Sequence, residues 1–78
     1  MTLKIFIEIA AQRFSVQEVT EWKDGKRYYY LRRLLPPGAW LSVTISHLAL
    51  GEELLLSELQ SLCAQLRLPL SAFGISTS

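Results

Sequence analysis

The sequence predicts an α+β fold: a four-stranded antiparallel sheet in β-β-β-β-α order with one C-terminal amphipathic helix packed on one face. Three observations lead there. Apolar and polar residues alternate with period two through much of residues 2–46. An Asp-Gly pair and a Pro-Pro-Gly run fall between those alternating stretches. One leucine-rich stripe at helical spacing fills residues 52–68. The whole chain, residues 1–78, reads as a single domain without internal repeats.

The first strand is expected over about residues 2–10. Leu3, Ile5, Ile7 and Ile9 fall on one face of an extended chain, and Lys4, Phe6 and Glu8 on the other. β-Branched residues at this spacing favour a strand. Phe6 makes the second face partly apolar, which marks it as a candidate oligomer surface. The second strand spans about 14–22. The turn before it, at Gln12-Arg13, carries no Gly, Pro or Asn to announce it.

Asp24-Gly25 between two β-prone runs signals a tight hairpin. Two registers fit. A two-residue turn sets Lys23 against Lys26, like charges face to face. A three-residue loop with Gly25 as a bulge sets Trp22 against Lys26 and Glu21 against Arg27, and is preferred on charge. In that register Val19 faces Tyr29. The third strand runs over about 26–35 and stops at Pro36-Pro37-Gly38, where Pro37-Gly38 suits the centre of a type II turn. The fourth covers about 39–46. Leu41, Val43 and Ile45 point one way; Trp40, Ser42, Thr44 and Ser46 point the other.

The helix is expected over about 52–68. Gly51 is its N-cap, Glu52 and Glu53 suit the positive end of the dipole, and Leu50 and Leu55 form a hydrophobic staple. Leu55, Leu59, Leu62 and Leu66 form its stripe, widened by Leu56 and Cys63. Pro69 ends it, and residues 69–78 read as an irregular tail in which Leu70, Phe73 and Ile75 offer apolar side chains.

Half of the 78 residues are hydrophobic and 19% are charged, which excludes a disordered chain. So small a domain has little interior to hide that many apolar groups. Self-association is therefore expected, as a homo-oligomer and most simply a dimer, with Phe6, Trp40 and Phe73 as candidate interface residues. The lone Cys63 precludes an internal disulfide and suits a reducing compartment. No run approaches the roughly 18 apolar residues of a membrane span. The expectation is a cytoplasmic protein without a signal peptide and without membrane partners.

Candidate chemistry is sparse. His47 and Cys63 are each the only residue of their kind. Cys63 reads better as a small buried hydrophobe than as a nucleophile, and His47 as a loop or capping residue. One His and one Cys make at most half a zinc site. The glycines are isolated, so no phosphate-binding loop is present. The expectation is a non-enzymatic protein with no catalytic, metal or cofactor residues.

One stretch stands out. Residues 23–33, KDGKRYYYLRR, carry a net charge of +4 and all three tyrosines, while the rest of the chain carries −3. Trp22, Lys23, Lys26, Arg27, Tyr28, Tyr30, Arg32 and Arg33 therefore form a candidate surface for a partner. Tyrosines can stack on bases while lysines and arginines neutralise phosphates. Equally, Glu18 and Glu21 on the neighbouring strand can pair with those bases and make a plain polar hairpin face.

The β-β-β-β-α order over residues 3–68 resembles that of single-strand-binding families such as the PUR-type domains. The resemblance rests on element order alone, and no residue inherits a role from it. Two functional expectations follow. The first is a small self-associating interaction module that binds another macromolecule as an adaptor, inhibitor or regulator, a class that includes products of phages and mobile elements. The second is a single-stranded nucleic-acid-binding protein using the 23–33 hairpin.

Overall fold

Residues 3–14 fold as a helix, and this changes the architecture. The computed structural model describes residues 1–74. Its order is α1 (Leu3–Phe14), β1 (Gln17–Lys23), β2 (Lys26–Leu35), β3 (Ala39–Thr44), α2 (Leu56–Leu66) and a 3₁₀ turn at Leu70–Phe73. The protein is α+β, with a three-stranded antiparallel sheet in the order β1-β2-β3 and two helices. The expected fourth strand is absent among the described residues, and so is the β-β-β-β-α order on which the likeness to single-strand-binding families rested. The expected contribution of Ile75 lies outside the described residues.

α1 forms because a second period hides beneath the alternation. Leu3, Phe6, Ile7 and Ala10 are buried, at spacings of three and four. Thr2 caps the helix, its Oγ1 accepting the Ile5 N–H at 3.3 Å. Ser15 ends it in a left-handed conformation. Phe6 stacks on Phe73 with ring centroids 4.6 Å apart. Burial of one stripe outweighs the mild strand preference of the three isoleucines.

The hairpin takes the two-residue turn. Asp24 and Gly25 both have positive φ, 54° and 76°, as a type I′ turn requires. Lys23 therefore pairs with Lys26, Trp22 with Arg27, and Val19 with Tyr30 rather than Tyr29. The preference for the bulged register rested on setting Glu21 against Arg27 instead of Lys23 against Lys26. β1 is exposed along almost its whole length, only Val19 being half-buried, so the charges of the hairpin are solvated in either register. Turn geometry decides instead, and two exposed lysines repel little through water.

The β2–β3 connection also differs from the expected type II turn. Gly38 N–H donates to Leu35 O at 2.8 Å around a cis Pro36–Pro37 bond, so the two prolines hold the centre. β3 follows its alternation. Val43 and Ile45 are buried, and Trp40, Ser42, Thr44 and Ser46 are exposed.

α2 starts at Leu56, four residues later than expected. Glu58 accepts the Leu55 N–H at 2.7 Å, so the helix is capped there and not by Gly51. Residues 50–54 are otherwise engaged. Lys4 N–H donates to Leu50 O, Leu54 N–H donates to Met1 O, and Glu53 accepts from the N-terminal amine. These bonds tie the start of α1 to the approach of α2. Leu59, Leu62, Cys63 and Leu66 are buried as the stripe predicts, but Leu55 and Leu56 are exposed and no staple forms.

Every buried strand residue, namely Tyr29, Leu31 and Val43, lies on one face of the sheet, and Ile45 just past β3 continues it. Together with the buried residues of α1, α2 and Phe73 they make one core. The opposite face is bare. Among the described residues no helix is long and apolar enough to cross a membrane.

Candidate interaction surface

The parity of β2 divides the basic-aromatic stretch in two. Lys26, Tyr28, Tyr30, Arg32 and Leu34 point away from the helices, while Arg27, Tyr29, Leu31 and Arg33 point toward them. The neighbours complete the bare face. β1 contributes Gln17, Val19, Glu21 and Lys23; β3 contributes Trp40, Ser42 and Thr44.

Contacts along this face fix several side chains. Tyr30 Oη donates to Glu21 Oε1 at 2.7 Å. That bond, more than partial desolvation, holds the phenol protonated and raises its pKa. Arg32 Nε donates to Gln17 Oε1 at 2.8 Å, and its guanidinium lies 4.7 Å from the Trp40 ring centroid. Trp40 and Leu34 sit opposite each other across β2 and β3, 53% and 50% exposed. Lys23, Lys26 and Tyr28 are exposed at the hairpin end.

The remaining candidates have other work. Arg33 passes beneath the sheet. Its Nη1 donates to Leu66 O at 2.9 Å and Arg67 O at 2.8 Å, and its guanidinium lies 5.4 Å from the Phe14 ring centroid. It caps the C-terminus of α2, where a cation also suits the dipole. Arg27 covers the Tyr29 ring at 4.9 Å, and Tyr29 Oη donates to Glu18. Trp22 projects on the helix side beyond the covered part of the sheet and is 72% exposed.

Of the three candidate oligomer residues, the bare face presents only Trp40. Phe6 and Phe73 are buried against each other inside the chain. An extended chain would have exposed Phe6; a helix turns it inward. The sequence reading overlooked Leu34, although it shares the parity of Tyr28 and Tyr30. It also assigned Leu55 and Leu56 to the core stripe, and both stand exposed.

His47 lines a cleft of about 430 Å³ between the end of β3 and α2, with Thr44, Ser57, Glu58, Ser61 and Gln65 around a floor of Val43, Leu48 and Leu62. Cys63 is buried on α2, its thiol pKa raised by desolvation. It does not line that cleft. Among the described residues no three His, Cys, Asp or Glu side chains gather closely enough to hold a metal ion. No family model matches this chain, and no curated protein or solved structure shows significant similarity to it.

Proposed function

We propose that this protein is a small non-enzymatic interaction module that self-associates and binds another macromolecule through the bare face of its sheet. One observation carries the reading. Both helices cover the same side, leaving the other side uncovered with Tyr28, Leu34 and Trp40 about half exposed. Large apolar groups gathered on one open sheet face are a docking feature when a small chain has already filled its core. The face is graded. Its Leu34–Trp40 end is apolar and serves self-association; its Lys23–Lys26 end is basic and serves the partner.

Light scattering after gel filtration at micromolar protein tests self-association. The expected result is a dimer that Leu34→Ser with Trp40→Ser converts to a monomer, while Leu55→Ser with Leu56→Ser does not. An 8.9 kDa monomer across a dilution series would remove self-association from the reading. A dimer broken only by the Leu55 and Leu56 changes would move the interface to the entry of α2.

A further inference from the structure

We infer that the basic end of the bare face, Lys23 and Lys26 with the rings of Tyr28 and Tyr30, is a binding track for single-stranded nucleic acid. The inference rests on the reading of that face as the interaction surface and names its partner.

Three observations support it together. The first is charge. Lys23 and Lys26 lie opposite each other on the open face, and Arg32 follows on the same row. The only salt bridge among the described residues joins the N-terminal amine to Glu53, so neither lysine is committed to a carboxylate. Two cations held together on one face complement a polyanion, and the register holds them there against their mutual repulsion.

The second is the spacing of the rings. Lys26, Tyr28 and Tyr30 alternate along one strand, so they repeat at about 6.7 Å on one side. A cation followed by two aromatic faces can neutralise a phosphate and stack on successive bases. Glu21 is the acid on the same face of the neighbouring strand, and its carboxylate accepts from Tyr30 Oη and orients that ring. The third is shape. A depression of about 450 Å³ adjoins the row, lined by Lys23, Tyr28, Tyr30 and Thr44 and also by the acids Glu21 and Asp24, so it offers room beside the rings while the positive charge comes from the lysines of the open face.

A single strand is favoured over a duplex because its bases are free to leave the stack and meet the rings. A duplex would use only the lysines. The track is short, so few phosphates are engaged. Arg33 and Arg27 take no part, since both are turned to the helix side.

The test is fluorescence anisotropy with labelled single strands of roughly 12 nucleotides, DNA and RNA, and a duplex of equal length. Binding to the single strands is expected, with a slope of log affinity against log salt of about −1.4 for two phosphates. Tyr28→Ala should weaken it by roughly 5- to 150-fold, the worth of one stacked base, and Tyr28→Phe should retain it. Lys23→Glu with Lys26→Glu should abolish it, and Arg33→Lys should not change it. Circular dichroism on each variant confirms that the fold is kept, which the exposure of all three outward side chains leads one to expect. Three results would overturn the inference: no single-strand binding at low salt, equal affinity for the duplex, or indifference to Tyr28→Ala. Light scattering on the same samples separates the two readings. A dimer that ignores every oligonucleotide leaves the interaction module standing and removes its nucleic-acid partner.

Discussion

At the scale of single residues, position on a strand decides whether a charged side chain is structural or available. Arg32 and Arg33 are neighbours with opposite duties. Arg33 satisfies two terminal carbonyls of α2. Arg33→Ala is expected to cost about 1.5–3 kcal/mol in urea denaturation, the range for hydrogen bonds to a charged group. The sequence shows that the two arginines face opposite ways, because alternation is a property of any strand. It does not show what Arg33 meets, because Leu66 and Arg67 lie more than thirty residues away. Cys63 is the converse case, read correctly from its helical stripe. Cys63→Ser buries a hydroxyl in an apolar site and should cost about 1–3 kcal/mol by chemical denaturation. Its raised pKa keeps the native thiol protonated, so labelling by a thiol reagent should be slow until the protein unfolds. Tyr30 gives a pH signature. Its pKa is raised by the Glu21 bond, so the stabilisation is full below the ordinary tyrosine pKa and is lost as pH rises through the higher folded value. The difference in melting temperature between wild type and Tyr30→Phe should hold at neutral pH and close in strong alkali.

At the scale of elements, the largest departure from the sequence reading is α1, and its cause is a coincidence of periods. Leu3, Ile5, Ile7 and Ile9 satisfy a strand; Leu3, Phe6, Ile7 and Ala10 satisfy a helix. The helical set takes in Phe6, the largest apolar side chain, and Thr2 stands where an N-cap belongs. Those two signals could have tipped the balance, but the partner of Phe6 is Phe73, at the far end of the chain. The elements marked by turn residues were legible: β2, β3 and the core of α2 lie close to where Asp24-Gly25, Pro36-Pro37-Gly38 and Pro69 put them. Substitution separates helix from strand directly. Phe6→Ala should cost about 3–5 kcal/mol, as for a fully buried ring. Ile5→Ser, at an exposed helical position, should change stability within about 0.5 kcal/mol. In the strand arrangement Ile5 would share the buried face with Leu3 and Ile7, and the two effects would be reversed. Urea denaturation of the two variants therefore decides the secondary structure of residues 3–14.

At the scale of the whole molecule, the protein is a plate. It measures 44 × 34 × 19 Å, and the short axis has room for one sheet and one layer of helices. Adding α1 to the helix layer uses apolar residues that a fourth strand would have spread over both faces, yet it leaves the far face of the sheet uncovered. The surplus of hydrophobic residues seen in the composition is thus only partly absorbed by the core; Leu34 and Trp40 remain outside. The two tryptophans report on what covers them. Trp22 stands at the hairpin end on the helix side, and Trp40 stands on the bare face beside Arg32. If two copies meet through Leu34 and Trp40, a Trp22→Phe protein, whose emission comes from Trp40 alone, should become harder to quench with acrylamide as concentration rises through the dimerisation range. A Trp40→Phe protein, reporting from Trp22, should show constant quenching over the same range and remain monomeric, because the interface has lost its largest side chain. Concentration-dependent protection of Trp22 with none at Trp40 would place the contact between copies on the hairpin end, away from the face that the fold leaves bare.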